Sequence, residues 1–254
     1  MLICYNVSML TNRQEKLLNI IINNYIKTAE PVSSKLLVKS RFFDLSSATL
    51  RNEMHDLERG GYLMQLHTSG GRVPTDKAYR YFVDNLLEEE LEPTETIKRK
   101  IKSSIDDASG DAGWLNRSIA KLLSDLSENV VITNISDSPD FYKIGLASLF
   151  EFPEFREMEK MFEMANLFDR FDSIFSKIER HFFNDFEDNF NILIGEENPL
   201  DYIRGETMII SKYRLPNQQT GTLTLIGPTR MDYRKNIGLV KYTADKLNQL
   251  TKRI

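Results

Sequence analysis

The 254-residue sequence predicts an α+β chain: three helices and a hairpin come first, forming a winged helix-turn-helix, and a longer α+β part follows. Three observations predict it. Capped stretches of helical periodicity recur three times before Arg59. A Gly-Gly break then leads into short β-rich runs on either side of a glycine-rich tip. Beyond Pro93, β-rich runs alternate with long helical stretches. Hydrophobic residues make up 41% of the chain and charged residues 28%, a balance that can bury a core and keep a polar surface. At about 150 residues per domain, the length fits one large or two ordinary domains.

The first helix is predicted over residues 11–27, where Leu17, Leu18, Ile21, Ile22, Tyr25 and Ile26 recur at helical spacing. Thr11 is its cap, Gln14 stands at capping-box spacing, and Leu10 is placed to staple onto the first turn. After Pro31, Ser33 opens a shorter helix that buries Leu36 and Leu37, and residues 42–45 form a turn. Ser46 opens the third helix, to residue 59, with Leu50, Met54 and Leu57 on one face. At 100° per residue, Ala48, Arg51, Asn52, His55 and Arg59 gather opposite that stripe. This face reads as a base-reading surface or as a solvated helix side. Arg matches guanine O6/N7 and Asn matches adenine N6/N7 in the major groove, while an exposed Ser47 and the helix N-terminus suit a backbone phosphate.

Gly60 and Gly61 end that helix, and residues 62–66 read as a strand returning through Arg72-Val73-Pro74. The tip His67-Thr68-Ser69-Gly70-Gly71 is small, so its backbone amides and the Arg72 guanidinium can approach phosphates or the minor groove. His67 reads equally as a structural hydrogen bonder. Thr75 caps a fourth helix over 75–91 that buries Tyr79, Phe82 or Val83, Leu86 and Leu87.

The acidic run at 88–92 and Pro93 mark a boundary, giving a first domain over 1–92, a connecting helix over 93–109 and a second domain over 110–254. In the connection, Ile97, Ile101 and Ile105 repeat at i, i+4, i+8, separated by Lys98, Arg99, Lys100 and Lys102, which form a solvated face or touch DNA. Further on, a helix over 114–127, strands over 130–135, 190–194, 207–215 and 222–226, a largely helical Phe-rich stretch over 154–187 and a last helix over 233–250 complete an α+β domain. Most of Phe155, Phe162, Phe168, Phe171, Phe175, Phe182, Phe183 and Phe186 should be core.

Charge reverses along the chain. Residues 1–85 carry 11 Lys+Arg against 8 Asp+Glu, +3, and the remainder 22 against 29, −7. A mildly basic module before an acidic body suits localised phosphate contact or is ordinary scatter. No apolar run approaches the roughly 18 residues of a membrane helix. The single Cys4 has no partner for an internal disulfide, and the first residues lack a signal-peptide pattern, so a reducing cytoplasm is expected.

Three His and one Cys give no pair at ligand spacing, so no metal site is expected. No phosphate-loop glycine pattern occurs, and no cofactor is expected. Glu196 and Glu197, with Asp201 nearby, are the best paired carboxylates, yet no His or Cys completes a catalytic set. They read as a turn, and the chain as no enzyme. Arg230 and Asp232 are expected to pair with each other or cap the last helix.

Taken jointly, LTNRQEKLLNIIINNYIKTAEPVSSKLL, SSATLRNEMHDLERGGYL and HTSGGRVPTDKAYRYFVD resemble the HrcA-type heat-inducible transcription repressors of bacteria. IGEENP, GTLTLIGPTRMDY and LVKYTADKL resemble the end of that family's GAF-like domain, and SLFEFPEFREMEKM is also similar to a family segment. The resemblance implies a homodimeric repressor on an inverted-repeat double-stranded DNA operator before chaperone genes. A GroEL-type chaperonin helps it into the active form, and heat relieves repression. It places the reading-helix contacts at Ser46, Ser47, Thr49, Arg51 and Asn52, to which the exposed face adds His55, and the wing contacts at His67, Thr68, Ser69, Gly71 and Arg72.

The sequence departs from the family in three ways. Ala78 stands where the family has glycine. The early strands of the GAF-like domain and the inserted dimerisation domain are reduced or absent between residues 132 and 152, leaving an abbreviated GAF-like domain. The family start aligns near Met9, so residues 1–8 read as an extension or a misassigned start. Self-association is then expected through Ile97-Ile101-Ile105 or the Phe-rich region. A ligand-sensing winged-helix regulator, with a small-molecule site in the second domain, is the competing expectation. An interaction module that no longer binds DNA is a third.

Overall fold

The computed structural model describes residues 10–40, 43, 45–66, 70–87, 91–108, 110–135, 141–184, 189–199, 203–215 and 219–250, with backbone alone for 175–184. Readings that fall on residues 1–9, Phe42, Asp44, His67, Thr68, Ser69, residues 88–90, Phe186 or Asp201, and on the side chains of Phe175, Phe182 and Phe183, lie outside the described residues. The chain divides into two compact units, Met1–Glu88 and Glu89–Ile254.

In the first unit, α1 (Asn12–Thr28) begins at a complete capping box between Thr11 and Gln14 and ends at Ala29, whose φ of 55° turns the chain out of the helix. Helix α2 (Ser34–Lys39) is capped by Ser33 and buries Leu37, whereas Leu36 is exposed. The expectation that both leucines face inward is corrected, because a six-residue helix offers one side to the core. Ser46 caps α3 (Ser47–Arg59), which buries Leu50, Met54 and Leu57.

Strands β1 (Leu63–Gln65) and β2 (Arg72–Pro74) pair antiparallel with Met64 opposite Val73, and β2 makes one further bridge to Val32. Thr75 caps α4 (Asp76–Tyr81), which continues only through a wide turn, Phe82–Leu86, closed by Leu87 N donating to Phe82 O at 3.1 Å. The helical stretch is therefore shorter than the predicted 75–91. The wide turn inserts one residue per loop, and it is Phe82, not Val83, that is fully buried.

The second unit opens with α5 (Glu95–Ala108) and α6 (Ala112–Ser127). Ile101 and Ile105 are buried within this unit, where α5 packs on α6. Two of the three residues predicted to connect domains or to self-associate are thus used internally, while Ile97 is half-buried. Lys98 is bound by Glu92 and by Glu95 at 3.0 Å, so it is not a freely solvated cation.

Next come β3 (Val130–Ile135), β4 (Phe141–Ile144), α7 (Leu146–Leu149), α8 (Met158–Asn184), β5 (Phe190–Ile194), β6 (Glu206–Arg214), β7 (Thr220–Pro228) and α9 (Tyr233–Leu250). The strands form one antiparallel sheet in the order β4-β3-β7-β6-β5. Alternation gives the sheet two different faces. Val130, Ile132, Met208, Ile210 and Ile226 pack against Leu149, Phe155, Met164, Leu167 and Phe171. On the other face Tyr213 donates to Asn116 of α6, and the Thr207 hydroxyl lies 2.9 Å from Tyr233 Oη of α9.

Strand β4 was not anticipated: its four residues are all half-buried and carry no in-out alternation. Helix α8 starts later than predicted because Pro153–Phe155 form a tight turn first. Of the described phenylalanines on this stretch, Phe155 and Phe171 are core, Phe168 is partly buried and Phe162 is exposed. Arg230 pairs with Glu154, not Asp232, with Nη2 donating at 3.1 Å, while Asp232 Oδ1 caps α9 by accepting from Lys235 N at 3.0 Å. Glu197 closes the turn after β5 by accepting from Ile194 N at 2.9 Å.

Candidate nucleic-acid interface

Helix α3 owes its orientation to what it buries. Leu50, Met54 and Leu57 turn one side inward, and Glu53, also buried, holds Arg13 at the start of α1. The opposite side is then forced outward. Ala48, Arg51, Asn52, His55 and Arg59 are all exposed, with the acidic Asp56 exposed beside them. The structure thus brings together on one helix face the residues that helical spacing grouped.

At the helix start the polar side chains are already engaged. The Ser46 hydroxyl accepts from Thr49 N at 3.1 Å and lies 2.9 Å from Thr49 Oγ1. Ser47 is half-buried and its Oγ lies 3.0 Å from that of Ser34 on α2. The expected exposed Ser47 is therefore corrected: this hydroxyl links the two helices, because the first turn of α3 packs against α2.

At the hairpin, Gly71 is fixed by close approach. A Cβ there would lie 2.6 Å from Val32 O and 2.7 Å from Pro31 O. Its neighbour Arg72 bonds Val32 through both backbone groups, at 2.8 and 2.9 Å. The Arg72 guanidinium turns to α3, where Nε and Nη2 donate to one oxygen of Glu58 at 3.0 and 2.9 Å. His55 Nδ1 lies 3.5 Å from the same oxygen. Desolvation pulls the Glu58 carboxyl upward, but hydrogen bonds and charge from Arg72, with a smaller share from His55, hold it below the usual carboxylate range.

Sequence reasoning missed Glu58, Glu53 and Arg13. For Glu58 the available signal was a carboxylate three residues after His55, one turn from the helix end and beside a Gly-Gly break. For the Arg13–Glu53 pair, separated by 40 positions, no local signal exists. Among the described residues no group of three or more His, Cys, Asp and Glu side chains is placed to hold a metal ion. Among them, too, no helix is long and apolar enough to cross a membrane.

A family model described as the HrcA protein C terminal domain matches residues 75–237. The chain belongs to the HrcA family. The heat-inducible transcription repressor HrcA of Clostridium botulinum (strain Eklund 17B / Type B) is 27% identical over 340 aligned positions, covering 94% of this chain and 97% of that protein. That of Brevibacillus brevis is 26% identical, covering 95% and 98%, and that of Clostridium acetobutylicum 28%, covering 93% and 96%. These HrcA relatives extend the match across the helices and hairpin before residue 75. Their alignments run over 338 to 340 positions against a chain of 254 residues, so HrcA relatives carry residues inside the matched span that this member lacks. A crystal structure of a hypothetical protein at 2.2 Å resolution superposes with a TM-score of 0.78 at 20% identity, covering 97% of this chain and all of that one, a likeness of fold.

Proposed function

We propose that this HrcA-family chain is a sequence-specific DNA-binding repressor of heat-shock genes, in which α3 reads the major groove and the β1–β2 hairpin is the wing. The observation that carries the reading is the exposed Arg51-Asn52-His55 face, presented by a helix whose other side is locked into the core. Arg51 and Asn52 supply the bidentate donors and acceptors that distinguish guanine and adenine edges. A backbone phosphate is assigned to Ser46, Thr49 and the amides of the α3 N-terminus, and the wing contacts to Gly71 together with His67, Thr68 and Ser69, which lie outside the described residues.

An inverted-repeat operator requires a twofold-symmetric reader, so the repressor acts as a homodimer. The second unit, a five-stranded antiparallel sheet with helices on both faces, is read as a GAF-like domain that receives the signal. A GroEL-type chaperonin is the partner that brings the repressor to its active form, and the cytoplasm is where both meet. As a transcriptional regulator the chain performs no catalysis.

The test is fluorescence anisotropy with a labelled inverted-repeat duplex against a scrambled duplex at two salt concentrations. Preference for the repeat, lost when one half-site is scrambled, is the expected result. Equal, salt-sensitive affinity for both duplexes would leave only non-specific phosphate binding. Adding chaperonin to the same titration is expected to raise the active fraction, and no change would remove the chaperonin from the scheme.

A further inference from the structure

Arg72 is held at both ends. Its backbone is bonded to Val32 in the segment between α1 and α2, and its guanidinium is bonded to Glu58 at the end of α3. Only 14% of its side chain is exposed, and the Glu58 oxygen it binds is shared with His55 on the DNA-facing side of the helix. We propose that Glu58 and Arg72 are positioning residues for DNA binding, a strut that fixes the hairpin against the reading helix and steadies His55, and that Arg72 makes no phosphate contact. This rests on the DNA-reading role of α3 argued above.

The physical need is geometric. A duplex presents its major groove and flanking phosphates at fixed spacing, so helix and wing engage together only if the angle between them is set beforehand. The chain joining α3 to β1 turns at Gly60 and Gly61, the latter at φ 76°, through Gly61 N to Glu58 O and Tyr62 N to Leu57 O, both at 2.9 Å, which fixes the helix end but not the hairpin's far strand. Two charge-assisted hydrogen bonds converging on one carboxylate oxygen tie that far strand, β2, directly to the end of α3. A phosphate contact by Arg72 would compete with its two bonds to Glu58, which would then keep only His55 beside the anionic backbone.

The experiment is a double-mutant cycle with Glu58→Ala, Arg72→Ala and the combined variant, each titrated with inverted-repeat and scrambled duplexes over a salt series. Each single variant is expected to weaken operator binding roughly tenfold with an unchanged slope of log K against log salt. Glu58→Ala is expected to cost nothing further in the Arg72→Ala background, where only the removal of a negative charge remains. Two results overturn the proposal: tighter binding by Glu58→Ala in the otherwise unchanged protein, or a slope lowered by about 1 in Arg72→Ala, the signature of a lost phosphate contact.

The protein without substitutions reports on the underlying reading in the same series. If it shows no preference for the repeat, the repressor reading falls and the positioning role falls with it. Amide hydrogen exchange of Glu58→Ala without DNA then reads the strut alone. Faster exchange at Val32 and Arg72 supports it, and unchanged exchange refutes it even where binding is altered.

Discussion

Gly71 and Val32 meet so closely that no side chain fits between them, since a Cβ on Gly71 would lie 2.6 Å from the Val32 carbonyl oxygen. Both contacting atoms belong to backbone, which has no flexible end to yield. Gly71→Ala is therefore expected to push β2 off the Pro31–Val32 segment and destabilise the first unit by about 1–3 kcal/mol, the usual cost of overpacking. Thermal denaturation checks it, and an unchanged melting temperature would show that the hairpin absorbs the extra methyl.

Arg51 stands exposed on α3 and is the side chain assigned to a guanine edge. Arg51→Ala is expected to lose about 1–3 kcal/mol of discrimination at a single base pair. Affinity for operator duplexes altered one position at a time is the measurement. Wild-type selectivity at every position would show that another part of the surface reads the sequence.

Glu206, at the start of β6, is 3% exposed, and its Oε2 finds no hydrogen-bond partner among the described residues. Burial raises its pKa to about 7, Glu163 adds to the rise, and Lys160, 3.8 Å away, and the Gly205 backbone oppose it. A carboxylate whose folded pKa is raised binds its proton more tightly in the folded state. That stabilisation is complete below the ordinary value of 4.5 and is lost as pH climbs through about 7. The loss is on the order of 3 kcal/mol. Glu206→Gln keeps a neutral group at all pH, so its melting temperature should exceed that of the unsubstituted protein most at pH 8 and least at pH 5. Parallel curves across that range would refute the account.

Ile101 is fully buried between α5 and the rest of the second unit. Ile101→Ala is expected to cost about 2–5 kcal/mol through lost burial and the cavity left behind. Chemical denaturation followed by far-UV circular dichroism reads it. A loss of dimer with unchanged monomer stability would instead restore this stripe to an intermolecular role.

What was legible in the sequence was whatever a local rule writes down. Thr11 and Gln14 announced the first helix because capping needs only residues three apart, and the alternate faces of α3 followed from 100° per residue. The extent of β3 was readable because Val130–Ile135 is β-branched at every position but Asn134 and buried on both sides. Strand β4 was not, since Phe141–Ile144 owes its conformation to pairing with β3, and nothing in four half-buried residues encodes a partner.

The interface shows the same division. Arg51, Asn52 and His55 were grouped from spacing, whereas the engagement of Ser47 with Ser34 and of Arg72 with Glu58 depends on how one element packs on another. Arg230 and Asp232 were expected to pair with each other or to cap the last helix; Asp232 does cap it, whereas Arg230 takes Glu154 across the fold. Proximity in sequence is a poor guide to the partner of a buried cation.

The pairing of β3 with β7 also has a consequence in time. Val130 lies opposite Ile226, so the central strand of the sheet pairs with one made almost a hundred residues earlier. Closing so long a loop costs entropy before any contact repays it. A chain emerging from the ribosome can complete its DNA-reading unit while β7 is still unsynthesised. Until that strand arrives, one edge of β3 has no strand to pair with, and the nascent sheet stands open along that edge.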